Sequence, residues 1–254
     1  DAVAAAKADV GHNHSGTYGP PIVPATGDSA TDAAAVQAAH DALPSTGGEI
    51  RLGPGTYNLT AGVTFTKPVH LYGAGPSGGP VSAAGGYSTE TSVTKVISTS
   101  ATVSPLTLGT GAHGSHIEGI HFLNTAGSTP TAGAAIDVTA QLAGCRFYNL
   151  TSGGFYRGYN IGNGYEWVMI ACRAYNYVNA GLRIANPSLP DAGDMGVVDC
   201  EFTAGPTNLA PTSAVEWVSG GGLRFLGNKT NQRGSATHTI GLFLHPADGI
   251  STSR

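Results

Sequence analysis

Five segments recur at a near-constant interval: "EGIHFLN" (118–124), "AGCRFYN" (143–149), "IACRAYN" (170–176), "VDCEFTA" (198–204) and "LGNKTNQ" (226–232). Their centres, Ile120, Cys145, Cys172, Cys200 and Asn228, stand 25, 27, 28 and 28 residues apart. A period of this size marks a stacked architecture, because one such unit cannot bury its apolar face alone. The centre and the residue two places on (Ile120/Phe122, Cys145/Phe147, Cys172/Ala174, Cys200/Phe202) share one side of a strand. Asn228/Thr230 is polar and breaks the pattern. A second apolar run, headed by Ile136, Phe155, Leu182, Val215 and Leu242, follows each centre. One period therefore holds at least two short strands and their turns, with no helical periodicity. This predicts an all-β fold, a right-handed parallel β-helix whose coils stack like residues into ladders. The thiols then sit inside as small apolar side chains. A propeller blade, with four strands and ~40 residues, needs a longer repeat.

Composition agrees. The 38 Gly and 15 Pro punctuate many short apolar runs, the pattern of short strands joined by turns. Charged residues make up 11% and the net charge is −4, which gives no basis for nucleic-acid binding. No apolar run is long enough for membrane insertion. Three cysteines cannot all pair within the chain, and their spacing is not that of a zinc site. The chain begins at Asp1 with no signal-peptide pattern and reads as a fragment or processed product.

Residues 28–43, "DSATDAAAVQAAHDAL", are the one clear helix, with Thr31 or Asp32 as cap, Pro44 beyond its end and Val36, Ala39 and Leu43 on one face. An open solenoid end exposes core and unpaired strand edges, so this helix is placed to cover the first coil. The expected organisation is an extended N-terminal stalk segment at 1–24, a short capping-helix region at 25–48 and the β-helix at 49–254, continuing or truncated at its end.

The run "TDAAAVQAAHDAL…GGEIRLGPGTYNLT…VTFTKPVHLYGAG", within residues 26–75, resembles the N-terminal signature of the pectate-lyase-3-type β-helix superfamily. That superfamily includes polysaccharide lyases, glycoside hydrolases and bacteriophage tailspikes. The resemblance implies the fold strongly and the chemistry weakly.

The segment "VGHNHSGTYGPP" (10–21) places His12 and His14 one residue apart. In extended chain residues i and i+2 point the same way, so three chains on a threefold axis would offer six imidazoles to one octahedral transition metal such as iron. The stretch also resembles the Gly-His-x-His-Ser-Gly segments of phage tail fibres and tailspikes, in which such pairs hold iron on a trimer axis. A solvated linker with turn-forming histidines is the plainer reading.

Outward neighbours of the ladder are the place to look for chemistry. They are His121, Arg146, Arg173, Glu201 and Lys229 on one strand, and Asp137, Tyr156, Arg183, Glu216 and Phe243 on the other. With coils ~4.8 Å apart, Arg173 reaches Glu201 and Arg183 reaches Glu216. The plain reading is inter-coil salt bridging. The sharper one is a carbohydrate groove with Arg146, Arg173 and Arg183 beside Tyr156, Tyr159, Tyr165 and Trp167, since sugar rings stack on aromatics and guanidinium suits acidic sugars. Residues 155–167 hold five of the 19 aromatic side chains, and Tyr175 and Tyr177 follow shortly after. Glu166, Asp191, Asp194, Glu201 and Glu216 are the nearby acids, of which Glu166, Glu201 and Glu216 are the catalytic candidates, but no two form an evident acid–base couple. The remaining histidines, including His40, His70 and His116, are scattered along the chain.

Two functions fit. One is a homotrimeric phage tail protein, a tailspike or tail fibre located on the virion, whose partners are other tail or baseplate proteins and a host surface polysaccharide that it binds or depolymerises. The alternative is a secreted, monomeric polysaccharide lyase or glycoside hydrolase of the same superfamily.

Overall fold

The computed structural model describes residues 22–76, 92–185, 194–205, 212–219, 222–232 and 239–244. His12 and His14 lie outside these residues, as does Asp191. The described chain winds as a parallel β-helix. Three parallel sheets run the length of the solenoid, with eight, seven and seven strands. We call them A, B and C in the order the chain visits them within a coil. Sheet A includes Val69–Tyr72, His116–Glu118, Arg146–Tyr148 and Val168–Ile170. Sheet B includes Ile120–Asn124, Thr151–Gly153, Arg173–Tyr175 and Glu201–Ala204. Sheet C includes Ala134–Val138, Arg157–Ile161, Ala180–Ile184 and Thr212–Trp217.

Apolar residues stack in register inside. On sheet A the inward column runs Ile50, Leu71, Ile117, Phe147, Met169, Val197 and Phe225. On sheet C it runs Val63, Leu106, Ile136, Tyr159, Leu182 and Val215. All three thiols are buried and free. Burial pushes the Cys145 thiol up to about 11 and also raises the Cys172 thiol well above its ordinary value, so neither is an available nucleophile.

The cysteine column is shorter than the repeat implied. Cys172 and Cys200 are neighbours at the corner leading into sheet B, where the Cys172 N–H points at Cys200 Sγ, 3.4 Å away. Asn228 takes the next place: its Oδ1 accepts from Cys200 N at 2.8 Å and its Nδ2 donates to Val197 O at 2.8 Å. That explains a polar residue at a core position. Cys145 sits at a different corner, the one leading into sheet A, aligned with Trp167 one coil on, as the Val168 N–H to Cys145 O bond shows.

The helix spans Ser29–Asp41 and packs on the first coil, with Val36 buried and Ala39 and Leu43 against the core. Its cap is Asp28, whose side chain accepts from Thr31 N. Asp32 has another task. It is fully buried and accepts from Thr26 N, Thr26 Oγ1, Gly27 N and Asn58 N at 2.7–2.9 Å, tying the helix start to the first coil. His40, also buried, stacks on Phe65 and accepts at Nε2 from Thr66 N and Lys67 N.

Candidate functional site

On the outer face of sheet C, Thr64, Thr107, Asp137, Asn160, Arg183 and Glu216 form one column, each the register partner of the next. The strand period of two turns them all away from the core. Their side chains are linked lengthwise. Asn160 Nδ2 donates to Asp137 Oδ1 at 2.7 Å, Arg183 Nη1 donates to Asn160 Oδ1 at 3.3 Å, and Arg183 Nε lies 3.7 Å from Glu216 Oε2. Ser104 Oγ donates to the other Asp137 oxygen at 3.4 Å. Beside the column an open groove of about 440 Å³ is lined by Asp137, Arg157, Thr64, Thr107 and Ser104 among others. Arg157 lies 5.1 Å from the Tyr156 ring centroid and donates to Asn179 Oδ1 at 3.3 Å. Burial, and then the nearby Arg183, lower its pKa. The groove lining thus offers hydroxyls, a carboxylate and a guanidinium, with the Asn160 amide bonded to Asp137 and the Tyr156 ring beside Arg157 just outside it; such groups can fix a sugar by hydrogen bonds and stacking.

The proposed glycan contacts are not brought together. Arg183 and Tyr156 belong to this face, although Asn160, not Tyr156, occupies the ladder position. Arg146 is on sheet A and Arg173 on sheet B. Tyr165 lies on a short strand of its own beside Leu142–Ala143. Tyr159 and Trp167 do not line a sugar groove as expected: both are core residues, at 0% and 1% exposure. Tyr159 stands in the inward column between Ile136 and Leu182, with its hydroxyl on Arg173 O at 2.9 Å. Trp167 follows a corner residue, Glu166, in the left-handed conformation, which turns the next side chain inside. Tyr175 and Tyr177 are buried too.

The acids are dispersed as well. Glu166 is exposed at a corner. Glu201 is on sheet B, between Arg173 and Lys229 at 3.9 Å each. Glu216 is on sheet C. The carboxylates of the sheet C column, Asp137 and Glu216, are three coil steps apart, about 14 Å at the strand spacing. A glycosidase pair needs about 5–9.5 Å. Among the described residues, the Asp137–Glu216 separation on this face lies outside that range.

Two features escaped the sequence. His121 is buried on the outer face of sheet B, its Nε2 2.7 Å from the hydroxyl of Tyr175, which reaches across Gly153 from two coils away. On sheet A, His70, His116 and Arg146 are consecutive in one column and Tyr72, Glu118 and Tyr148 in the next. Their sequence spacings, 46 and 30, are too unequal to show this.

No protein-family model matches the chain, and no curated protein matches it. Among solved structures it is similar to the catalytic domain of a GH87 α-1,3-glucanase in complex with nigerose, with a TM-score of 0.53 and 14% identity over 90% of this chain and 46% of that one. The likeness is one of fold. It is also similar to ORF18 of Geobacillus virus E2, with a TM-score of 0.41 and 15% identity over 96% of this chain and 63% of that one. The chain thus spans about half the length of the glucanase chain and under two thirds of the viral one.

Proposed function

We propose that the protein is a phage tail protein, a homotrimeric tailspike or tail fibre, and that the sheet C groove holds a host cell-surface polysaccharide. The observation that carries this reading is the linked column Asp137–Asn160–Arg183–Glu216 beside an open groove, on a fold whose low surface charge suits lateral association. Arg157 and Tyr156 flank the sugar, and Arg183 contacts acidic groups on it. In the trimer, His12 and His14 of three chains hold an iron ion, an assignment that rests on their spacing and resemblance alone. The protein binds the polymer through this groove without cleaving it there.

The test is a panel of bacterial capsular polysaccharides and lipopolysaccharides, with binding measured for wild type and for Arg183→Ala and Asp137→Ala. A polymer held by wild type and released at least ten-fold more readily by both variants supports the reading. Equal binding by all three proteins, or no binding at all, rejects the groove. Mass in solution near three times 25.5 kDa supports the trimer, and a monomer rejects it.

A further inference from the structure

The outer face of sheet A carries a network of titratable groups that the glycan groove does not use. The rings of His70 and His116 lie on adjacent coils with centroids 4.9 Å apart and planes at 85°. Each has one nitrogen close to a neighbour two residues on, by a hydrogen bond at His70 and by an ion-pair contact without hydrogen-bond geometry at His116. Tyr72 Oη is 2.9 Å from His70 Nδ1, and Glu118 Oε2 is 3.2 Å from His116 Nε2. The nitrogens left for a ligand are His70 Nε2 and His116 Nδ1. A catalytic imidazole needs this arrangement, in which one nitrogen is oriented by a fixed partner and the other faces the reacting atom. Arg146 follows His116 in the same column, exposed and with no ion-pair partner among the described residues. Glu49, beside His70, is bound to Arg51, so both carboxylates of the cluster are engaged. A recess of about 360 Å³ lined by Glu49, His70, Gly48 and Gly114 opens at its edge.

Two oriented imidazoles within one substrate width, plus a cation, form the set for moving a proton onto one oxygen and off another while negative charge builds between them. That is the demand of phosphoryl transfer within a phosphodiester whose neighbouring carbon bears a hydroxyl. We infer that the His70–His116–Arg146 cluster is a catalytic site for intramolecular transesterification of a polyol-phosphate polymer, independent of the sheet C groove. His116 Nδ1 takes the proton of the substrate hydroxyl, and that oxygen forms the new P–O bond. The P–O bond to the next polyol breaks, and its electron pair takes the proton from His70 Nε2. The products are a cyclic phosphodiester and a free alcohol, and the two imidazoles exchange protons with water to reset. Arg146 stabilises the charge on the phosphorane oxygens. Glu118 and Tyr72 are positioning residues. Burial, with Arg146 and His70 adding to it and Glu118 opposing, holds the His116 pKa below the ordinary imidazole value, which keeps it unprotonated for the base role.

The experiment uses the full chain with two probes. One is 2-hydroxypropyl 4-nitrophenyl phosphate, followed by nitrophenolate release. The other is poly(glycerol phosphate), followed by phosphorus NMR for cyclic phosphate. Wild type turns over both with a bell-shaped pH profile. His116→Gln lowers both rates by about 100-fold, and His70→Gln does so on the polymer, whose alkoxide needs the acid. Glu118→Gln and Tyr72→Phe shift the limbs of the profile. Arg224→Ala, three coils along the same column, leaves both rates unchanged. Urea midpoints confirm that each variant is folded. No cyclic phosphate from wild type, or rates that survive replacement of both histidines, overturns the inference.

Discussion

Acid should unfold this protein through His121. Its imidazole lies 2% exposed on the outer face of sheet B, with Tyr175 drawn over it. Burial, and then the charge of Lys95, hold its pKa down to about 4. The unfolded chain binds the same proton near the ordinary value of ~6.5. Between these values the unfolded state is protonated and the native state is not, so stability is complete above pH ~6.5, falls as pH drops towards 4, and levels off below. At ~1.36 kcal/mol per pH unit, a difference of about 2.5 gives a total loss of about 3 kcal/mol. The assay is urea unfolding at half-unit steps from pH 7.5 to 3.5, for wild type and His121→Gln. Carboxylates elsewhere titrate in both proteins and cancel in the difference. Wild type should lose about 3 kcal/mol more than the variant across the window. Gly153→Ala supplies the structural check, since a Cβ there would lie 2.3 Å from the Tyr175 ring and force it off the imidazole. In that variant the His121 resonances should titrate closer to 6.5 and the acid sensitivity should shrink. A wild-type-minus-His121→Gln difference that stays flat from pH 6.5 to 4 refutes the reasoning.

Other substitutions probe the scaffold and the groove separately. Asp32→Ala strands the Thr26, Gly27 and Asn58 amides and should cost about 3–5 kcal/mol, read from the urea midpoint. Ala171→Gly should stabilise by about 0.5–1 kcal/mol in the same assay, because Ala171 has φ +54°, a strained conformation for a residue with a Cβ. Trp167→Ala should cost about 3–5 kcal/mol while leaving polysaccharide affinity unchanged in the folded fraction, the reverse of Arg183→Ala.

The stacking was legible because burial leaves a periodic mark. Small or apolar residues recur once per coil, and inter-coil pairs predicted from that period, Arg173 with Glu201 and Arg183 with Glu216, are present at 3.9 and 3.7 Å. The helix was legible from its caps and apolar face, though Asp28 and not Thr31 or Asp32 is the cap. Which face each residue occupies was harder to read. Tyr159 and Trp167 sit in a stretch dense with aromatics, and aromatic density does not distinguish a sugar platform from a core layer.

The misplacement of Arg146 has a single physical cause. Each coil turns at several corners, and the corners use the same local device: a residue in the left-handed conformation, then a small or apolar side chain turned inside, then a strand. Gly144–Cys145 and Glu166–Trp167 do this before sheet A; Asn149–Leu150, Ala171–Cys172 and Asp199–Cys200 do it before sheet B. In sequence, "AGCRFYN" and "IACRAYN" are then near-identical, and their 27-residue interval looks like one coil. The register shows otherwise, pairing Arg146 with His116 and Val168, and Arg173 with Thr151 and Glu201. Because the coils vary in length, interval alone cannot separate one corner from another. Only backbone pairing does, and that pairing places Arg146 next to His116, on a different face from the glycan groove.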